Sequence, residues 1–337
     1  MDNINILVTG GCGFIGSNFI CYMLSKYPYN IINLDKLTYA GNLENLKNIE
    51  QNKQYTFIKG DIASKSDLEN TFETNIDMVV NFAAESHVDR SILDPDTFIK
   101  TNINGTFNLL EIAKKNEVKK FIQISTDEVY GSLGKEGKFR EDTPLAPNSP
   151  YSASKTSADM LAMAYFKTFK TPVMITRCSN NYGPYQFPEK LIPLIITNAL
   201  ENIELPVYGD GMNVRDWIHV LDHCAAIDTV LHKGIVGNVY NVGGESEKAN
   251  IDIVKLILDI LGKPHSLIKY VKDRPGHDRR YAIDQTKIKN ELGFQTNMSF
   301  EKGMEDTVKW YIENRSWWER IKSGAYLEYY DMMYKNR

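Results

Sequence analysis

Three glycines that follow a short apolar segment constrain the fold of this chain more than any other feature. Residues 4–9 have the apolar, β-branched composition of a buried strand, and Gly10, Gly13 and Gly16 follow at intervals of three residues. A strand that ends in such a turn and leads into a helix brings backbone N–H groups close to a phosphate group. The pattern therefore predicts a dinucleotide site rather than an ordinary glycine-rich turn.

Further apolar runs predict strands at residues 31–35, 55–58, 78–82, 121–125, 173–177 and 238–242. Strands that alternate with amphipathic stretches favour a parallel sheet with helices on both faces. We therefore expect an α/β fold: a Rossmann-type doubly wound sheet with a smaller C-terminal α/β substrate-binding lobe. Residues 1–180 form the expected dinucleotide-binding domain, with a returning segment near 215–245. Residues 181–337 form most of the lobe, and the boundary is interleaved.

Composition excludes several classes of function. The net charge of -4 and the pI near 5.9 offer no basic surface for nucleic acid or an anionic membrane. No segment approaches the roughly 18 apolar residues of a membrane helix. The four cysteines have neither zinc-site nor disulfide-framework spacing. We expect a cytoplasmic protein that binds no metal, no nucleic acid and no membrane.

The second predicted strand ends in Asp35, where a carboxylate can bind the adenosine ribose and repel a 2′-phosphate. NAD is therefore favoured over NADP, although the cationic Lys36 that follows weakens this preference. Ligands of open α/β sheets bind at the carboxyl ends of the strands. Four further residues are predicted to lie at those ends: Asp61, Ile62, Ala83 and Ala84.

Two short motifs in the middle of the chain predict proton transfer. Tyr151 and Lys155 are four residues apart, so on a helix they share a face. We expect the Lys155 ammonium group to lower the pKa of Tyr151, so that the phenol can act as a base. Thr126 ends the fifth strand and precedes Asp127 and Glu128. Neighbouring carboxyl groups push their pKa values apart, which lets one donate a proton and the other accept one.

Together these motifs resemble the extended short-chain dehydrogenase/reductase family of NAD-dependent epimerases and dehydratases. The resemblance runs over nearly the whole chain, through residues 9–16, 83–91, 125–131, 151–155, 179–184, 188–193, 215–217 and 274–281. The Asp127–Glu128 pair is its most discriminating element, because the sugar-nucleotide epimerases of this family have other residues there.

The resemblance implies a 4,6-dehydratase that uses tightly bound NAD and acts on a nucleotide-linked sugar, dTDP-glucose. Tyr151 would take the C4 hydroxyl proton while C4 gives up a hydride, and Thr126 would hydrogen-bond the same oxygen. Glu128 would then remove the C5 proton, and Asp127 would protonate the departing C6 hydroxyl group. Return of the hydride to C6 would give the 4-keto-6-deoxy sugar. The implied catalytic set is Thr126, Asp127, Glu128, Tyr151 and Lys155.

The resemblance also implies two sets of binding residues. For the cofactor they are Gly10, Gly13, Phe14, Ile15, Gly16, Asp35, Lys36, Asp61, Ile62, Ala83, Ala84, Ser86, Tyr151, Lys155 and Asn180. For the substrate they are Ser86, His87, Thr126, Asn181, Lys190, Leu191, Pro206, Tyr208, Arg215, Asn250, Arg274 and His277. A homodimer through helices of the main domain is a further implication, as is a place in deoxysugar biosynthesis, rhamnose included.

Two other functions stay open at this point. One is a related nucleotide-sugar enzyme, such as a 4,6-dehydratase for another nucleotide, a 4-epimerase or a decarboxylase. The Asp127–Glu128 pair argues against the last two. The other is a non-catalytic NAD-binding protein, which the presence of Thr126, Tyr151 and Lys155 disfavours.

Overall fold

The structure, a computed structural model, describes residues 4–334. Strands and helices alternate through its first half, as βαβ units require. In chain order the strands are β1 (Asn5–Thr9), β2 (Asn30–Asp35), β3 (Tyr55–Lys59), β4 (Met78–Asn81), β5 (Lys120–Thr126), β6 (Val173–Cys178), β7 (Asn180–Tyr182), β8 (Leu205–Tyr208), β9 (Val214–His219), β10 (Val239–Val242), β11 (Glu247–Ala249) and β12 (Ile268–Val271).

Helices cover both faces of the main sheet and build much of the C-terminal half. They are α1 (Phe14–Lys26), α2 (Lys65–Thr71), α3 (Val88–Leu93), α4 (Pro95–Phe98), α5 (Thr106–Lys115), α6 (Pro150–Phe169), α7 (Leu191–Leu200), α8 (Val220–Lys233), α9 (Asn250–Leu261), α10 (Thr286–Leu292), α11 (Phe300–Glu313), α12 (Arg315–Ile321) and α13 (Ala325–Tyr334). Shorter 3-10 helices span Leu43–Ile49, Asp127–Tyr130 and His265–Leu267, and a π-helix spans Ile99–Gly105.

The main sheet has seven strands in the order β10-β6-β5-β4-β1-β2-β3, and all its pairings are parallel. The strand order reverses between β1 and β4, which opens a crevice at their carboxyl ends. Two smaller sheets, β11-β9-β7 and β12-β8, belong to the C-terminal half. The predicted fold class is confirmed, including a late strand that returns to the main sheet. The domain boundary near residue 180 stays a prediction.

The core lies in separate layers on the two faces of the sheet. Along β1, Ile6 and Val8 pack into the layer that contains α1 and α8, whereas Leu7 packs into the layer of α5 and α6. This follows from the period of two in strand side chains. Each fully buried aliphatic side chain contributes about 1.5–3 kcal/mol. A third cluster, with Ile257 and Trp318 among its buried members, forms the core of the C-terminal lobe.

Within residues 4–334, no helix combines the length and the apolar character that a membrane crossing requires.

Candidate active site

Backbone atoms lie too close for a side chain at two glycines of the turn after β1. Gly10 has a φ of +70°, and a Cβ atom there would lie 2.7 Å from the Cα of Ala83. A Cβ atom on Gly16 would lie 2.5 Å from the carbonyl oxygen of Gly10. Gly13 caps α1 without a side-chain hydrogen bond, so the cap residue has no side chain that occupies the first N–H groups of the helix. This backbone cradle fits a dinucleotide pyrophosphate.

A cavity of ≈ 340 Å³ runs along this turn and across the carboxyl ends of the central strands. All the predicted cofactor residues line it: Gly10, Gly13, Phe14, Ile15, Gly16, Asp35, Lys36, Asp61, Ile62, Ala83, Ala84, Ser86, Tyr151, Lys155 and Asn180. Five predicted catalytic or substrate residues line it as well: Thr126, Glu128, Asn181, Lys190 and Leu191. The fold therefore brings the glycine turn and both proton-transfer motifs to one cavity. The individual binding roles remain predictions.

Several residues of the cavity wall were missed by the sequence reasoning. Thr38, Ala40 and Gly41 line the cavity. Their position just after β2 could have predicted this, because ligands bind loops at the carboxyl ends of strands. Phe187 and Glu189 also line the cavity. No role was predicted for either residue, although Glu189 belongs to the segment 188–193 that carries the family resemblance.

The carboxylate of Asp35 is held in a fixed orientation at the end of β2. One oxygen accepts the N–H of Cys12 at 2.8 Å, and the other accepts the N–H of Leu37 at 2.7 Å. Burial raises the pKa of Asp35, and these two hydrogen bonds oppose that rise. Lys36 forms an ion pair of 2.8 Å with Asp61, which also lines the cavity. This end of the cavity thus holds a buried acid beside a cation that is already paired with another carboxylate.

Tyr151 lies in the first turn of α6. Pro150 is the first helical residue, and Ser149 caps the helix in a reciprocal capping box with Ser152. This combination fixes the start of a helix. It places Tyr151 at the cavity wall, with Lys155 one turn later on the same wall.

The predicted effect of Lys155 on the pKa of Tyr151 is wrong for the protein alone. Burial, followed by the charge of Glu128, raises the pKa of Tyr151 well above its ordinary value, and a hydrogen bond with Thr126 only partly opposes this. The Lys155 ammonium group instead donates to the carbonyl oxygen of Ile124 at 2.7 Å, and burial lowers its own pKa. Helical spacing indicated a shared face, but the surrounding apolar core determines the sign of the shift.

The two neighbouring carboxyl groups lie in different electrostatic environments. Asp127 is only 2% exposed; burial, then the charges of Glu128 and Asp216, raise its pKa well above the ordinary value. Burial also raises the pKa of Glu128, but three cations oppose this rise: Arg274, Lys190 and Arg215. The arrangement therefore favours a protonated Asp127 beside a more readily ionised Glu128. Their assignment as acid and base stays a prediction.

Three cations border the carboxyl pair, and Arg215 is the buried one of the three. The Arg274 Nη1 lies 3.5 Å from Asp89 Oδ1, and its buried Nε has no hydrogen-bond partner among residues 4–334. Arg215 donates to the carbonyl oxygen of Asp278 at 2.8 Å, and Lys190 donates to that of Ser86 at 2.8 Å. An unpartnered guanidinium N–H in a buried place suits an anionic ligand such as a diphosphate.

Eight of the predicted residues lie outside the cavity lining: His87, Asp127, Pro206, Tyr208, Arg215, Asn250, Arg274 and His277. Some have protein partners instead. The Nδ1 of His87 is 3.3 Å from the Tyr329 hydroxyl oxygen, and Tyr208 donates to Asp89 at 3.2 Å. Pro206 lies in β8, and Asn250 begins α9. The ring of His277 lies edge-on to Tyr208, with centroids 6.1 Å apart.

Fold and site together define a dinucleotide-dependent enzyme of the epimerase and dehydratase type. Residues 7–307 match the family model described as GDP-mannose 4,6 dehydratase, and the chain belongs to this family. A dTDP-glucose 4,6-dehydratase from Xanthomonas campestris pv. campestris (strain B100) is 52% identical over 339 residues, which cover 95% of this chain and 96% of the relative.

Two solved structures of dTDP-glucose 4,6-dehydratases have the same fold. The enzyme from Bacillus anthracis in complex with NAD is 57% identical, with a TM-score of 0.89 over 95% of this chain and 100% of that chain. The enzyme from Streptomyces venezuelae, also with NAD bound, is 48% identical, with a TM-score of 0.92 over the same shares.

Proposed function

We propose that the protein is a dTDP-glucose 4,6-dehydratase, which converts dTDP-glucose to dTDP-4-keto-6-deoxyglucose and water. The observation that carries the proposal is the pair of unlike carboxyl environments at Asp127 and Glu128, beside Tyr151 and the dinucleotide cradle. An epimerase needs no acid and base for elimination, whereas a dehydratase needs both. The high identity to enzymes of that name over nearly the full length gives independent support.

The cofactor of the proposed reaction is NAD. When bound, it takes a hydride from the sugar and gives it back within one cycle, so that there is no net redox change. The cradle at Gly10 and Gly16 holds the pyrophosphate, and the oriented carboxylate of Asp35 holds the ribose hydroxyls. That carboxylate also repels a 2′-phosphate, and Lys36 is engaged with Asp61, so the site suits NAD rather than NADP.

Oxidation at C4 begins with proton removal by Tyr151. Its phenol is buried and hydrogen-bonded to Thr126, which in turn can bind the sugar C4 oxygen. Lys155 does not lower the pKa of Tyr151 in the protein alone, so the proposal requires that bound NAD and sugar bring its ammonium group close enough to stabilise the phenolate as it forms. The new ketone acidifies the C5 proton and makes elimination feasible.

Elimination uses the two carboxyl groups separately. Glu128, whose pKa three cations restrain, removes the C5 proton and later returns one to C5. Asp127, kept protonated by burial and neighbouring anions, donates a proton to the departing C6 oxygen, which leaves as water. Each carboxyl group is thus used in the protonation state that its surroundings favour.

The substrate diphosphate is proposed to bind the cations Lys190, Arg215 and Arg274, with Asn181 and Leu191 on the cavity side and Asn250 beside them. Ser86 and His87 lie on the sugar side, and Pro206, Tyr208 and His277 belong to the nucleoside side. Kinetic comparison of dTDP-glucose, UDP-glucose and GDP-mannose tests the substrate. We expect the highest kcat/KM with dTDP-glucose; a preference for GDP-mannose would refute the nucleotide assignment and leave the reaction type intact.

We further propose a homodimer through the helices beside the sheet. The region of α3 to α6 and the adjoining π-helix exposes large apolar side chains that a second copy would cover: Leu93, Ile99, Phe107, Met160 and Phe169. Met160→Asp should shift the protein toward monomers in sedimentation equilibrium, and an unchanged mass would refute this face as the interface.

A cytoplasmic location is also proposed, because all four cysteines are free thiols and three of them are buried. The 4-keto-6-deoxy product suits the synthesis of 6-deoxysugars, with rhamnose as one end product. Cell fractionation and the sugar content of a strain that lacks the enzyme test these two points.

A further inference from the structure

Two loops that line the cofactor cavity touch each other through Tyr39. Thr38 and Ala40 line the cavity just after β2, and Phe187 and Glu189 line it just before α7. The Tyr39 hydroxyl group donates to Glu189 Oε1 at 2.8 Å. Its ring packs edge-on against Phe187, with centroids 5.4 Å apart. The two loops that line the cavity are therefore joined directly.

Arg90 strengthens this junction. Its Nε donates to the second oxygen of Glu189 at 2.9 Å, so both carboxylate oxygens carry a donor. The guanidinium carbon lies 3.8 Å from the ring centroid of Tyr39 and 4.0 Å from that of Tyr329. Glu189 is only 7% exposed. Shielding from water strengthens both the charged hydrogen bonds and the cation–π contacts.

These contacts connect segments that are far apart in the sequence, and both segments line the cavity. The two loops can separate only if these contacts break. We propose that Tyr39, Arg90 and Glu189 form a latch that slows dissociation of NAD, so that the cofactor is kept from one catalytic cycle to the next. This inference rests on the proposed function, because it takes NAD as the occupant of the cavity.

Tyr39→Phe removes one hydrogen bond to a charged group and leaves the ring contacts with Arg90 and Phe187 in place. Loss of such a bond should speed dissociation about tenfold. Tyr27→Phe is the matched control: the Tyr27 hydroxyl donates to Asp228 at 3.1 Å, at the opposite end of α1 from the glycine turn. Both variants lose one tyrosine–carboxylate hydrogen bond, but only the first of these bonds joins two segments that line the cavity.

The experiment loads each purified protein with isotopically labelled NAD and follows its exchange with excess unlabelled NAD by rapid desalting. We expect Tyr39→Phe to exchange about tenfold faster than wild type and Tyr27→Phe to exchange within twofold of wild type. Arg90→Lys keeps the charge but loses the planar stack between two rings, so it should also exchange faster.

Exchange in both Tyr39→Phe and Arg90→Lys at the rate of the Tyr27→Phe control would overturn the latch. A wild-type protein that neither retains nor rebinds NAD would instead refute the proposed function. The two failures are thus distinguishable in one assay, and neither depends on catalytic turnover.

Discussion

Replacing Asp127 by asparagine should stabilise the protein and inactivate it. The Asp127 side chain is buried and accepts a hydrogen bond from Thr126 at 3.3 Å, which the amide oxygen of asparagine can also accept. Asparagine has the same shape as the protonated acid and does not titrate. The substitution therefore removes the proton that elimination needs while keeping the packing.

The size of the stabilisation follows from proton linkage. In the unfolded chain the carboxyl group has a pKa of about 3.9, and in the folded protein burial and nearby anions raise the pKa of Asp127 well above that. Below pH ~4 the carboxyl group is protonated in both the folded and the unfolded state, so it costs wild type no stability. As the pH rises from there to the folded pKa, the free energy of unfolding of wild type falls by ~1.4 kcal/mol per pH unit. Above the folded pKa the loss is constant.

Asp127→Asn has no such loss because asparagine does not titrate. The difference in the free energy of unfolding between the variant and wild type should therefore be absent near pH 4 and grow toward neutral pH. Thermal melts of both proteins saturated with NAD measure it, with roughly 2 °C expected per kcal/mol in a chain of this size. Loss of the acid should lower kcat by about 10²- to 10⁴-fold. The C5 proton of the substrate should still exchange with solvent, because Glu128 remains. A stability gain that does not depend on pH, or a kcat within tenfold of wild type, would refute the reasoning.

Three further substitutions, the last of them compared with a control variant, test the other parts of the site. Tyr151→Phe should abolish oxidation, so that a single turnover shows no absorbance of reduced cofactor; a normal absorbance change would exclude Tyr151 as the base. Glu128→Gln should allow some reduced cofactor to form but no C5 exchange and no product, and full dehydratase activity would show that the role is misassigned. Gly10→Ala should weaken NAD binding by about 10²-fold, because its Cβ would lie 2.7 Å from Ala83. Gly13→Ala, where the nearest atom is 3.3 Å away, should weaken it far less in the same calorimetric titration, and equal losses would contradict the cradle.

The half of the site that lies on the main sheet could be predicted from local sequence. Residues at the carboxyl ends of parallel strands meet at one edge, so Asp35, Asp61 and Ala83 could be assigned to the cavity before their distances were known. The turn at Gly10 could be predicted equally well. Only glycine suits the positive φ at this position and the close approach of the Ala83 backbone.

The remainder depended on contacts between distant segments. Glu189 meets Tyr39 across 150 residues of chain, and no periodicity encodes such a meeting. The pKa of Tyr151 is a similar case. The spacing to Lys155 indicated a common helix face, but the depth of burial and the carbonyl of Ile124 that engages the ammonium group emerge only from the folded core.

The most direct test of the proposed dehydratase is mass spectrometry of dTDP-glucose mixed with the purified protein in heavy water, without added NAD. The account predicts a product that has lost one water and gained one solvent deuteron at C5, formed with the cofactor that the protein retains. Intact dTDP-glucose, both without and with added NAD, would contradict it.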